Sequence, residues 1–98
     1  MNLFEGFENP EYLIVNGKGL PVTGTGIIAD EIGPFVETLH AALESGETEY
    51  AVWNRGPVKY LGTRTGDFFL IVKCGPRTPL TRLIYSLGDI RARCARSL

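Results

Sequence analysis

The alternation of apolar runs with turn-forming links constrains this 98-residue chain more than any motif it contains. A continuous apolar run at residues 12–15 leads through Asn16-Gly17-Lys18-Gly19 into a second extended run at 20–24. A helical stretch follows at 28–45, then three strand-like runs at 50–54, 57–63 and 68–72, and a closing helix at 79–96. The order β-β-α-β-β-β-α defines an α+β unit, read as one domain over 1–98 with a short N-terminal cover at 1–11, a hairpin at 12–24, a meander at 49–74 and a C-terminal helix. It points to a small binding scaffold rather than an enzyme.

Local chemistry explains each segment. Leu3, Phe4 and Phe7 stand at helical spacing and predict one turn packed on the sheet, ended by Pro10, with Asn9 extended because the residue before proline avoids the helical region. Tyr12-Leu13-Ile14-Val15 is apolar at every position, as in a strand covered on both faces. Gly17 and Gly19 tolerate the positive φ of a reversal. Pro21 cannot donate a ladder hydrogen bond, so the second strand belongs at an edge. Ile28, Ile32, Phe35, Val36, Leu39, Ala42 and Leu43 recur at three and four, the period of one helical face, with Pro34 in the first turn and Gly46 as a left-handed stop. The fully apolar residues 68–72 belong at the sheet centre beside the first strand, which leaves the second and third strands as edges. Thr78 is placed as N-cap with Pro79 at the first position of the last helix, whose stripe is Leu80, Leu83, Ile84, Leu87, Ile90 or Arg91, and Cys94. Arg91, Arg93 and Arg96 complement that helix's dipole.

Composition removes several function classes. Ten Lys and Arg against eleven Asp and Glu give a formal charge of −1, which provides no field for nucleic acid or an anionic membrane. The longest apolar run is far short of the roughly 20 residues of a membrane span, so no direct membrane insertion is expected. Glu5, Glu8 and Glu11 near the start are unlike a signal peptide, and Cys74 and Cys94 form no CxxC and read as small hydrophobes. A reducing, cytoplasmic setting is expected.

Sites of chemistry are sparse. His40 stands between Glu37 and Glu44 at helical spacing, but one imidazole and two carboxylates on one helix lack a ligand from another direction and read as solvated surface. Asp30 and Glu31 suit a helix start. Gly17-Lys18-Gly19 lacks the Walker pattern and precedes a strand. Trp53 is either core or a binding hot spot. We expect no catalytic residues, no metal and no cofactor.

Leu13-Ile14-Val15-Asn16-Gly17-Lys18-Gly19-Leu20-Pro21-Val22 opening the chain, and Gly66-Asp67-Phe68-Phe69-Leu70-Ile71-Val72 as the central strand, resemble the roadblock family, whose domains include a dynein light chain and relatives that act on small Ras-like GTPases. The resemblance runs from Tyr12 onward. Many members begin with a longer amphipathic helix, whereas only residues 1–8 are available here, so the C-terminal helix is expected to cover its face largely alone.

The resemblance implies a five-stranded antiparallel sheet between the middle helix and the C-terminal helix, as in roadblock, longin and profilin-like folds. It also implies pairing through the third strand, Glu49, Tyr50, Ala51, Val52, Trp53 and Asn54, with middle helices packed together through Glu37, His40, Ala41 and Glu44. The implied partners are a second copy or another roadblock-like chain, and a Ras-like small GTPase or a motor or membrane-tethered complex. The alternative is a profilin-like or sensor-type domain that binds a small ligand between sheet and helix.

Overall fold

The computed structural model describes residues 3–44, 46 and 48–98. Strands β1 (Tyr12–Asn16), β2 (Pro21–Thr25), β3 (Tyr50–Arg55), β4 (Val58–Thr65) and β5 (Phe68–Lys73) form one antiparallel sheet in the order β2-β1-β5-β4-β3. The two strands without polar interruption, β1 and β5, lie side by side, and β2 and β3 are the edges as their sequences predict. Asn16 shapes the first hairpin: its Oδ1 accepts from the N–H groups of Lys18 (2.9 Å) and Leu20 (3.0 Å), while Gly19 takes a φ of 79°.

Each sheet face has its own core. On one, Phe35, Leu39 and Leu43 of α1 (Gly33–Leu43) pack with Ile32 on Leu13, Val15, Tyr60, Phe69 and Ile71. On the other, α2 (Leu80–Tyr85) and α3 (Leu87–Ser97) bring Leu83, Leu87, Ile90 and Cys94 onto Ile14, Leu61, Leu70 and Val72. Period-2 alternation in the strands and period-3.6 alternation in the helices divide the apolar residues between these cores.

Several expectations are corrected. The middle helix is not continuous from 28: Ala29–Ile32 forms a 3-10 turn, and the α-helix begins at Gly33 with Pro34 in its first turn, where a missing N–H breaks no helical bond. Gly46 does take a left-handed φ of 76°, and its N–H reaches Leu43 O (3.3 Å); Ser45 lies outside the described residues. The C-terminal helix is broken at Ser86 (φ −94°, ψ 5°), and its N-cap is Pro79, because Thr78 is buried in a reciprocal backbone bridge with Gly75. Asn9 is not extended: its φ is 40°. Nor does the C-terminal helix cover its face alone. Leu3, Phe4 and Phe7 are buried in that core, with Phe7 N–H on Phe4 O (3.0 Å) closing the turn.

Arginines of the closing helices and of the turn before them act as tethers. Arg93 pairs with Glu5 (3.2 Å), Arg77 with Glu8 (3.6 Å), and Arg82 donates to Gly6 O while lying 4.4 Å over the Phe7 ring. These contacts strap the N-terminal segment onto α2 and α3.

Candidate functional site

The site is the outer edge of β3 and the helix above it. In an antiparallel ladder, directly opposed residues alternate between pairs that exchange both backbone bonds and pairs that exchange none. Cys74 N–H donates to Lys59 O (2.8 Å), which sets the parity of β4 against β5, and Lys73 N–H on Glu11 O (2.9 Å) sets that of β5 against β1 consistently. Tyr60, Gly62 and Arg64 therefore direct their backbone groups toward β3, where Trp53 and Ala51 oppose Tyr60 and Gly62. It follows that Tyr50, Val52 and Asn54 direct their N–H and C=O groups outward, away from the sheet.

Two neighbours delimit this open row. Glu49 O accepts from the Thr63 hydroxyl (2.7 Å), so the alternation continues one residue before β3. Beyond it, Arg91 Nε donates to Arg64 O (3.1 Å) and caps the stretch of β4 that β3 does not reach. The opposite edge of the sheet is different: β2 carries Pro21, which has no N–H, and its pairing with β1 shifts register at Ile14/Val15. Of the two edges, β3 is the one with an unbroken set of backbone donors.

The side chains of β3 divide by face. Tyr50 packs against the α2/α3 core, and Val52, opposite Leu61 on the same face, remains 36% exposed. On the α1 face, Trp53 stacks on Phe35 (centroids 5.4 Å, 21°) and tilts against Tyr60 (5.4 Å), with the Arg55 guanidinium 5.8 Å from its ring. Trp53 is thus half-buried, part of the α1 core and part of the edge. Arg55 also donates to Glu31 O (2.8 Å). Arg55 falls just past the strand-like run read at 50–54; extending the strand alternation by one residue would have placed it on the same face as Trp53.

Below this cluster lies an ionic knot. Tyr60 OH donates to a Glu31 carboxylate oxygen, and Lys73 lies between Glu11 (3.6 Å) and Glu31 (3.7 Å). The Tyr60 bond, joined by the Ile28 N–H and the charges of Lys73 and Arg55, holds the Glu31 carboxyl below its usual range against the opposing effect of burial. Burial and the Glu31 carboxylate push Tyr60 up to about 12. The knot fastens the 3-10 turn to the sheet next to β3.

On α1, Glu37, His40, Ala41 and Glu44 are all exposed, but they do not form one patch. His40 lies against Phe69 of β5 (5.5 Å), and it lines with Glu44, Arg64, Asp67 and Gly17 a cleft of about 210 Å³ at the hairpin end of the sheet. Glu37 and Ala41 point away from the sheet. Residues advance about 100° around a helix, so with His40 toward β5, the flank toward β3 carries the small residues Thr38 and Ala42. Thr38 was not singled out in the sequence and Ala42 was read only as part of the apolar face, since both are unremarkable until the helix is oriented over β4. Among the described residues no cluster of three or more His, Cys, Asp or Glu could hold a metal ion, and both cysteines are free. No described helix is long and apolar enough to cross a membrane.

No family model matches the sequence, and a search of curated proteins finds no match. Among solved structures, the crystal structure of a Roadblock/LC7 domain from Streptomyces avermitilis superposes with a TM-score of 0.69 at 12% identity, over 97% of this chain and 90% of that one. The chain has the Roadblock/LC7 fold. The resemblance read from β1, the Asn-Gly-Lys-Gly link and β5 is thus matched by the whole architecture.

Proposed function

We propose that this chain is a noncatalytic adaptor or regulator that pairs through β3 with a second copy or another roadblock-like chain, and presents α1 to a Ras-like small GTPase or to a motor or membrane-tethered complex in the cytoplasm. The observation that carries the reading is the row of outward backbone groups at Tyr50, Val52 and Asn54, a template for a further strand. The small flank of α1, Thr38 and Ala42, lets a second helix approach on the same side. Ala51 and Trp53 beneath it supply the apolar contact. If the assembly promotes nucleotide hydrolysis, it does so by ordering the GTPase's own switch loops, since no arginine of this sequence sits in a recognisable finger motif.

The test is native mass across a concentration series for the wild type and Val52→Pro. The Val52 N–H faces outward, so proline there removes no bond within the sheet and only closes the edge. The expected result is a wild-type dimer and a folded monomeric variant; Asn54→Pro serves where the first variant misfolds. A wild-type chain that stays monomeric up to high concentration, alone and mixed with roadblock-like chains, would exclude pairing. Titration with a Ras-like GTPase in its two nucleotide states then tests the partner, with charge reversal at Glu37 and His40 expected to weaken binding without unfolding the domain.

A further inference from the structure

Resting on the reading that β3 pairs with a second copy, we propose the register of that pairing: Val52 sits on the two-fold axis opposite the partner's Val52, and Glu49 forms a reciprocal salt bridge with the partner's Arg55. The argument begins with the backbone. Because Tyr50, Val52 and Asn54 carry the outward groups, a two-fold antiparallel pair can be bonded only in registers that oppose outward residues to outward residues. Such a pairing can be centred on Ala51, on Val52 or on Trp53.

The side chains choose among the three. Centred on Val52, Tyr50 opposes Asn54, the small Ala51 opposes the large Trp53, and Glu49 opposes Arg55, each twice by symmetry. All of the last four lie on the α1 face, so the acid and the base meet on one side of the sheet. Glu49 is exposed and has no ion pair among the described residues, while Arg55 is exposed, oriented by its bond to Glu31 O and its place over Trp53, and retains further N–H donors. Centred on Ala51, Glu49 would oppose Trp53, and the position opposite Arg55 would be Glu47, outside the described residues. Centred on Trp53, two indoles already stacked on Phe35 and Tyr60 would meet across the axis, and Glu49 would be left outside the strand pair. Only the Val52 register sets both a small residue against a large one and an acid against a base within the described residues. The isologous symmetry then makes every favourable pair occur twice.

This register has a specific signature in charge-swapped variants. Glu49→Arg places two cations together at each end of the paired strands, and Arg55→Glu places two anions together, so each variant alone should dimerise more weakly, by on the order of tenfold. Mixed in equal amounts, the two are complementary at both ends and should form a heterodimer of near wild-type affinity. A second readout fixes the axis: in a Cys74→Ser background, Val52→Cys should crosslink under mild oxidation, because directly opposed bonded residues lie about 5.5 Å apart at Cα, within reach of a disulfide. Ala51→Cys should not, because Ala51 faces Trp53 and its own counterpart is displaced by two residues.

The outcomes separate the register from the reading beneath it. Crosslinking at Val52 together with recovery in the mixture supports the proposal. A dimer that crosslinks through Ala51, or that is indifferent to both charge swaps, overturns the register while pairing through β3 stands. A chain monomeric at all concentrations overturns both.

Discussion

At the scale of single residues, the α1 core is set by one glycine and one hydroxyl. Gly62 lies under Leu39: a Cβ built there would stand 2.5 Å from both Leu39 Cδ atoms, and Leu39 is fully buried with no room to withdraw. Gly62→Ala should therefore destabilise the fold by about 1–3 kcal/mol, read as a lower denaturant midpoint. Gly88 in α3 has nothing within 4 Å of such an atom, so Gly88→Ala should instead stabilise by about 0.5–1 kcal/mol through helix propensity. The Tyr60 hydroxyl governs Glu31. A carboxyl whose folded pKa lies below its ordinary value of 4.5 contributes stability that is fully present above that value and is lost as pH falls through the folded pKa. For Tyr60, whose pKa is raised from 10.0 to about 12, the contribution is present below 10 and is lost as pH rises toward 12. Tyr60→Phe removes the largest cause of the Glu31 shift, so the Glu31 carboxyl should titrate closer to 4.5 by NMR, and the part of the acid-side stability loss that Glu31 contributes should be smaller than in the wild type, because that loss is confined to the interval between the folded and unfolded pKa.

At the scale of elements, the N-terminal segment shows how a stretch without regular structure is held. Phe4 is almost wholly buried, packed at 5.2 Å on Tyr12 and edge-on to Phe7, while Arg82, Arg93 and Arg77 close over it from α2, α3 and the preceding turn. The surface ion pairs are exposed and contribute little each. Arg82 combines a backbone bond with a ring contact and is the effective clasp. Arg82→Ala should raise the hydrogen-exchange rate of the Phe7 amide well above that of the β5 amides, since local opening of this turn then no longer breaks a cross-element contact. What was legible in the sequence follows the same division. Residues whose periodicity is intrinsic, such as the apolar runs of β1 and β5 and the three-and-four spacing of α1, placed five strands and a helix on their own. Asn9, Ser86 and the 3-10 turn were misread because their conformations are imposed from outside: the Glu31 knot with Tyr60 and Lys73 holds the turn, and the backbone break at Ser86 lets both Leu83 and Leu87 reach one core. The candidate site was legible as a strand but not as a surface. Which residues of β3 offer their backbone outward depends on hydrogen bonds two strands away, and which flank of α1 meets that edge depends on His40 lying against Phe69.

At the scale of the whole molecule, the two sheet edges are treated unequally. One is blunted by a proline and a register shift; the other presents donors, acceptors and a half-exposed tryptophan. In a protein this small, a free edge of that kind is a liability unless something covers it, because the same groups template uncontrolled strand addition. On the proposed pairing, occupation by a second copy through β3 would remove the liability and join the two sheets into one continuous layer, with the α1 helices side by side on one face and the α2/α3 layers on the other. The covering strand would then be part of the folded state's stability, and that stability would depend on protomer concentration. For a folded dimer in equilibrium with unfolded chains, each tenfold rise in concentration stabilises the dimer by about 1.4 kcal/mol. At this size that raises the melting temperature by about 3–5 °C per decade. Val52→Pro, which closes the edge without touching either core, should melt at a temperature independent of concentration. If both proteins gave the same flat dependence, the β3 edge would not be covered by a second copy, and the interface would have to be sought with a different chain.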